Sequence, residues 1–281
     1  MNYDDIENST DLSRPLFFYE FIYDEAPGAA FRYVADAQQR ISGGRTWRPF
    51  PIEHSEISVS GTLDKQTISI TARKDIDLTP MFIVGPPSRV VRVNIWRGHL
   101  DEPEIVMEWT GRILNCKWTG PEVEFSCEPI STSMVQVGLR RKYQRGCPFT
   151  LYGKSCGASM LAHTEKGSIT SIVNPLQVVV QMTGAAAGLI LSNLTGGIFR
   201  VTLDNGITEI RSVTAVTASG SRAWTLSLIG PVSDLRAGLS VSLSKGCAHT
   251  FEACRDTFGN AANFGGCPNI PTKDPFRANQ F

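Results

Sequence analysis

The chain carries two cysteine pairs, each closed over a short loop, with about ninety residues between them. In GCPFTLYGKSCG (146–157) eight residues separate Cys147 from Cys156, and in GCAHTFEAC (246–254) six separate Cys247 from Cys254. Between the pairs, 167–184, 196–216, 223–230 and 239–246 alternate apolar and polar residues as strands do. A compact β domain brings its two ends close together. Inserted between the pairs, such a domain lets both irregular loops meet and build one four-cysteine site. No other feature restricts the available folds as strongly.

At 281 residues the chain can hold one large or two ordinary domains, and 42% hydrophobic with 19% charged residues describes a globular protein. The formal net charge is zero, so no electrostatic footprint for direct nucleic-acid recognition exists. The opening MNYDDIENSTDLSRPLFFYEF is acidic and polar, without the basic and apolar regions of a secretory signal. No apolar run approaches the roughly 20 residues of a transmembrane segment. Synthesis and folding in the cytoplasm are therefore expected. There, an odd set of seven cysteines reads as metal ligands and core thiols rather than disulfides.

The expected fold class is all-β: two β-barrel or sandwich domains plus an irregular cysteine-rich segment. Pro15 opens a strand in LFFYEFIYD, and 56–61, 66–74, 89–98, 104–118 and 123–129 continue the pattern. These make a first β domain over 1–135. A discontinuous cysteine-rich region covers 136–167 and 246–281, and the inserted domain, of five or six strands, covers 168–245. Asn205-Gly206, between FRVTL and ITEIRSV, predicts a type I′ hairpin. Cys116 and Cys127 read as core thiols facing one another across a hairpin.

Four thiolates suit tetrahedral zinc or an iron–sulfur cluster. Zinc knuckles use tighter intervals, and wider loops surround a larger object, so the spacing leans toward a cluster without deciding it. Phe149, Tyr152, Phe251 and Phe258 can form an apolar shell. Arg140, Arg141, Lys142, Arg145 and Lys154 can balance negative thiolates. Cys267 is a fifth candidate ligand, and His249 could serve zinc. A Cys/His cell-wall peptidase would need Cys147 or Cys156 with His163, or Cys247 with His249. Neither cysteine segment reads as the helix start that presents such nucleophiles, and the acidic DEPE at 101–104 reads as a solvated turn. Without nucleotide, zincin or serine-hydrolase motifs, catalysis is disfavoured. A zinc-stabilised module binding a receptor or glycan is the stronger alternative.

CPFTLYGKSCG, the β unit after it and the closing run from Cys247 to Pro271 resemble the hub proteins of tailed bacteriophages and gene transfer agents. The tail-tip protein L of lambda-like phages shares the cysteine framework, with a shorter insert. The resemblance implies two β hub domains and a four-cysteine [4Fe-4S] cluster held by Cys147, Cys156, Cys247 and Cys254. Cys267 falls outside that set. It further implies a structural, non-enzymatic component of the virion tail tip, a homotrimeric ring between a distal tail ring protein and the central tail fibre or baseplate hub. Three copies of two similar domains can mimic sixfold symmetry and so meet a hexameric tube.

Overall fold

The computed structural model describes residues 7–9, 15–23, 30–57, 67–100, 103–134, 138, 143–184 and 188–271. The chain divides into two compact units, Met1–Gln136 with Asp204–Ile207, and Val137–Leu203 with Thr208–Phe281. Among the described residues, no helix is long and apolar enough to cross a membrane.

The first unit is built on nine strands: β1 (Pro15–Ile22), β2 (Ala30–Val34), β3 (Arg40–Ser42), β4 (Arg45–Pro49), β5 (Ile52–His54), β6 (Ile68–Arg73), β7 (Arg92–His99), β8 (Ile105–Thr119) and β9 (Glu122–Pro129). They form one sheet in the order β3-β4-β2-β1-β7-β8-β9-β6-β5. β9 shows plain alternation, burying Val123, Phe125 and Cys127. β1 is covered on both faces, so four consecutive residues, Phe18 to Phe21, are buried. Tyr19 and Phe21 join the main core with Tyr33, Ile70 and Phe125, while Phe18 packs with Val34 and Trp47 on the opposite face. β2 to β5 were not expected from the sequence. They are only three to five residues long, too short for alternation to register. The single helical turn α1 (Thr79–Ile83) was equally hidden. The strand expected at 56–61 falls largely outside the described residues.

Cys127 belongs to the core, and half-buried Cys116 packs against it. They do not face one another. The register running from Thr119 opposite Glu122 sets Cys116 opposite Phe125, and a bulge at Leu114 beyond it places Cys127 opposite Ile113. Burial pushes the Cys116 thiol up to about 11, so it stays protonated and inert at neutral pH.

The second unit holds β10 (Thr164–Asn174), β11 (Gln177–Met182), β12 (Ile198–Thr202), β13 (Thr208–Gly220), β14 (Ala223–Leu228) and β15 (Ser240–Ser244). They close into a six-stranded barrel in the order β10-β11-β14-β13-β12-β15. Val178, Val180, Phe199, Val201, Leu226, Val241 and Leu243 fill it. The β12–β13 hairpin forms, but not through a type I′ turn. Thr202 pairs with Thr208 across a five-residue loop, and only Gly206 of the Asn-Gly pair has a positive φ. The Asn205 side chain instead accepts the Ile207 N–H at 3.0 Å.

Closure pairs the first barrel strand with the last, placing Thr164 opposite Ser244. Their hydroxyls lie 2.6 Å apart, and the Lys245 N–H donates to the His163 carbonyl at 3.0 Å. The chain therefore enters and leaves the barrel at one point, and the two cysteine loops begin there.

Glu20 lies on the Phe18 face of β1 and is 3% exposed. It accepts from Arg32 at 2.8 Å and from Asn94 at 3.1 Å, with Arg45 at 3.6 Å. Burial alone would raise its pKa, but the two hydrogen bonds and the arginine charges outweigh it and hold the carboxyl below its ordinary value. A lowered folded-state pKa means stability that is present above the unfolded value of about 4.3 and lost as pH falls through the folded value. Glu20→Gln should cost about 2 kcal/mol in urea unfolding at pH 7. The difference should shrink toward pH 3, and a gap independent of pH would count against the carboxylate charge as its source.

Candidate metal centre

Cys147, Cys156, Cys247 and Cys254 all line one small cavity of about 20 Å³ in the second unit, although they come from two distant stretches of chain. Cys254 is buried and the other three are half-buried. Burial raises the Cys247 thiol, and the Cys147 and Cys156 sulfurs add to the rise, against a main-chain N–H from His249 that favours the thiolate. Burial raises Cys254 too, reinforced by Cys247, Cys147 and Cys156. Cys247 and Cys254 thus each lie within electrostatic reach of neighbouring sulfurs. Among the described residues, no three His, Cys, Asp or Glu side chains are placed to hold one metal ion. The four sulfurs stand around a space rather than at a point.

Main-chain hydrogen bonds hold the loops together. Cys147 donates its N–H to the His249 carbonyl at 2.8 Å, and the His249 ring Nδ1 donates back to the Cys147 carbonyl at 3.1 Å. The first loop turns at Gly153, whose carbonyl accepts from the N–H groups of Cys156 and Gly157 at 3.0 and 2.9 Å. The second loop contains a helical turn over Ala253–Thr257, which the sequence reading took for plain loop. It places Cys254, whose N–H donates to the Thr250 carbonyl at 3.1 Å. Two non-glycine residues of the site, Tyr152 and His249, have left-handed backbones with φ of 60° and 58°. Such strain persists only where the surroundings impose it.

The expected aromatic shell is only partly there. Phe149 and Phe258 line the cavity. Tyr152 packs edge-on against Phe258 with ring centres 6.0 Å apart, and donates its hydroxyl to the Lys245 carbonyl at 2.8 Å. Burial, then the charges of Cys247 and Cys156, raise its pKa. Phe251 instead packs edge-on with Phe264 at 5.3 Å and does not line the cavity. Arg145 and Lys154 are exposed, and Arg140, Arg141 and Lys142 lie outside the described residues. Cys267 does not line the cavity; its N–H donates to the Gln144 carbonyl at 2.8 Å and so braces the first loop.

Among the described residues, neither the His249 ring nor the His163 ring is hydrogen-bonded to a cysteine sulfur. The His249 Nδ1 is spent on the Cys147 carbonyl. His163 packs against Tyr152 and Phe258, with ring centres 6.5 and 4.9 Å away. Four soft sulfur donors in a partly desolvated pocket fit a thiophilic metal centre in donor chemistry. Asn260 and Asn263, which also line the cavity, had no visible signal in the sequence beyond their place in a polar, Gly-rich tail.

Residues 193–274, which include Cys247, Cys254 and Cys267, match the family described as "Phage conserved hypothetical protein BR0599". An uncharacterized protein of Xylella fastidiosa (strain 9a5c) is 23% identical over 193 residues, covering 61% of this chain and 38% of its own length. The chain thus spans well under half of that relative. A chain in a structure titled "Virion of native gene transfer agent (GTA) particle" shares the fold, with a TM-score of 0.81 over 99% of this chain and 94% of that one, at 15% identity.

Glycine backbones fix where the loops dock. A Cβ on Gly246 would stand 1.9 Å from the Thr195 carbonyl oxygen, and one on Gly266 would stand 2.4 Å from that of Arg145. Neither backbone neighbour can give way cheaply. Gly246→Ala and Gly266→Ala should each lower stability by about 1–3 kcal/mol, read by thermal unfolding. An unchanged melting temperature in both would show that the loops dock less tightly than this.

Proposed function

We propose that the chain is a non-enzymatic structural component of a phage-type virion, and that Cys147, Cys156, Cys247 and Cys254 hold a [4Fe-4S] cluster. In this reading it forms a homotrimeric hub ring at the tail tip, contacting a distal tail ring protein and the central tail fibre or baseplate hub. The observation that carries the cluster is the arrival of four thiols, from loops about a hundred residues apart, around one cavity. The virion role draws support from the phage family match and from a fold that follows nearly the whole of a gene-transfer-agent chain.

The bound cluster would supply cross-linking: four metal–sulfur bonds stapling two irregular loops that have little core of their own, with binding energy added to folding. The cavity is smaller than a cubane, so the thiols must turn outward to seat one. Their positions on loops, rather than on barrel strands, allow that movement.

Protein purified without oxygen should be brown, with about four irons and matching acid-labile sulfide per chain. Serine at Cys147, Cys156, Cys247 or Cys254 should lose iron and block particle assembly, while Cys116→Ser keeps iron. Equal iron loss from Cys116→Ser would overturn the ligand assignment. Colourless protein with one zinc per chain would replace the cluster with a zinc-stabilised binding module.

A further inference from the structure

Asn260 belongs to neither cysteine pair, yet it touches one member of each. Its side-chain Nδ2 donates to the Cys156 carbonyl at 2.6 Å and lies 3.9 Å from the Cys156 Sγ. Its main-chain N–H donates to the Cys254 carbonyl at 3.0 Å. In the thiol form, Cys254 Sγ donates to the Asn260 carbonyl at 3.2 Å. The amide orientation is determined by chemistry: a carbonyl at Cys156 requires the NH₂ end, and Asn263 Nδ2 donates to the remaining Oδ1 at 2.7 Å. With two N–H groups on one nitrogen, the side chain serves the Cys156 carbonyl and its sulfur together.

We infer that Asn260 is the positioning residue of the cage, setting Cys156 with its side chain and Cys254 with its main chain while providing no ligand itself. The inference rests on the four-cysteine reading above. It complements His249, which bonds Cys147 through main chain and ring and donates its N–H to the Cys247 Sγ at 3.3 Å. The two residues cross-link the loops along different diagonals, one joining Cys147 to Cys247 and the other Cys156 to Cys254. Of the two, Asn260 gives the cleaner test, because its side chain can be changed while the main-chain bonds to Cys254 stay.

An N–H directed at a ligating sulfur stabilises electron density there, and losing it makes a centre harder to reduce. Asn260→Ala and Asn260→Asp therefore test the inference together. Asp is isosteric but presents an oxygen to the Cys156 carbonyl and sulfur. After anaerobic reconstitution with iron and sulfide, both variants should still take up a cluster. They should release iron to a ferrous chelator roughly tenfold faster than wild type, and their reduction potentials should move negative. If Asn260 only fills space, Asn260→Asp will release iron at the wild-type rate, its added charge moving the potential alone, and the inference fails.

A second arm uses the iron-free chain, with iodoacetamide alkylation of each cysteine followed by mass spectrometry. Cys156 should react faster in both variants than in wild type, while Cys254, still held by the main chain of residue 260, and Cys127 in the core of the first unit stay unchanged. An unchanged rate at Cys156 would overturn the positioning role. If wild type takes up no iron at all, the cluster reading fails by itself, and the alkylation arm still decides the role of Asn260.

Discussion

The pairing of β10 with β15 is the contact on which the cysteine site depends. It closes the barrel, and in closing it sets Thr164 beside Ser244 across 80 positions of sequence. The cysteine loops that flank that point are irregular chain that could not find each other unaided. Bringing two free loops of this length together would cost chain entropy that neither loop recovers from its own contacts. The barrel core, filled by side chains such as Phe199, Val201 and Leu243, bears that cost because folding of the barrel delivers both loops to one place.

From there the site is assembled mostly by main chain. Cys147 is held by His249, Cys156 by the Gly153 turn and by Asn260, and Cys254 by a helical turn and again by Asn260. Backbone bonds suit this task because they fix the cysteine positions without adding charged side chains to the cavity. Glycine contributes by absence: at Gly246 and Gly266 a side chain would occupy the space where one strand of backbone lies against another. The left-handed backbones of Tyr152 and His249 show that the loops are pulled into shape rather than resting in their preferred conformations.

Much of the β framework is legible because alternation is a local signal. β9, β11 and β14 each bury every second residue, and that pattern stands in the sequence whatever the fold. The signal fails where its physical basis fails. β3 and β5 are three residues long, and the four-residue buried run of β1 reflects covering on both faces rather than on one. The Asn-Gly turn misled for a related reason. The dipeptide permits a type I′ geometry, but the hairpin register sets a five-residue loop, and Asn205 used its side chain instead.

The sequence by itself determined which residues could serve as soft ligands, that they come in two short-looped pairs, and that a β domain lies between them. Residue type and spacing are covalent facts. Only the tertiary structure decided that the four sulfurs share one cavity, that Cys267 stays outside it, and that Asn260 and His249 tie the pairs together. Those outcomes rest on strand register and hydrogen-bond geometry between segments far apart in the chain. Cys116 and Cys127 show the same division: their burial was readable from alternation, but the hairpin register, which sets Cys116 opposite Phe125, decided that they do not meet.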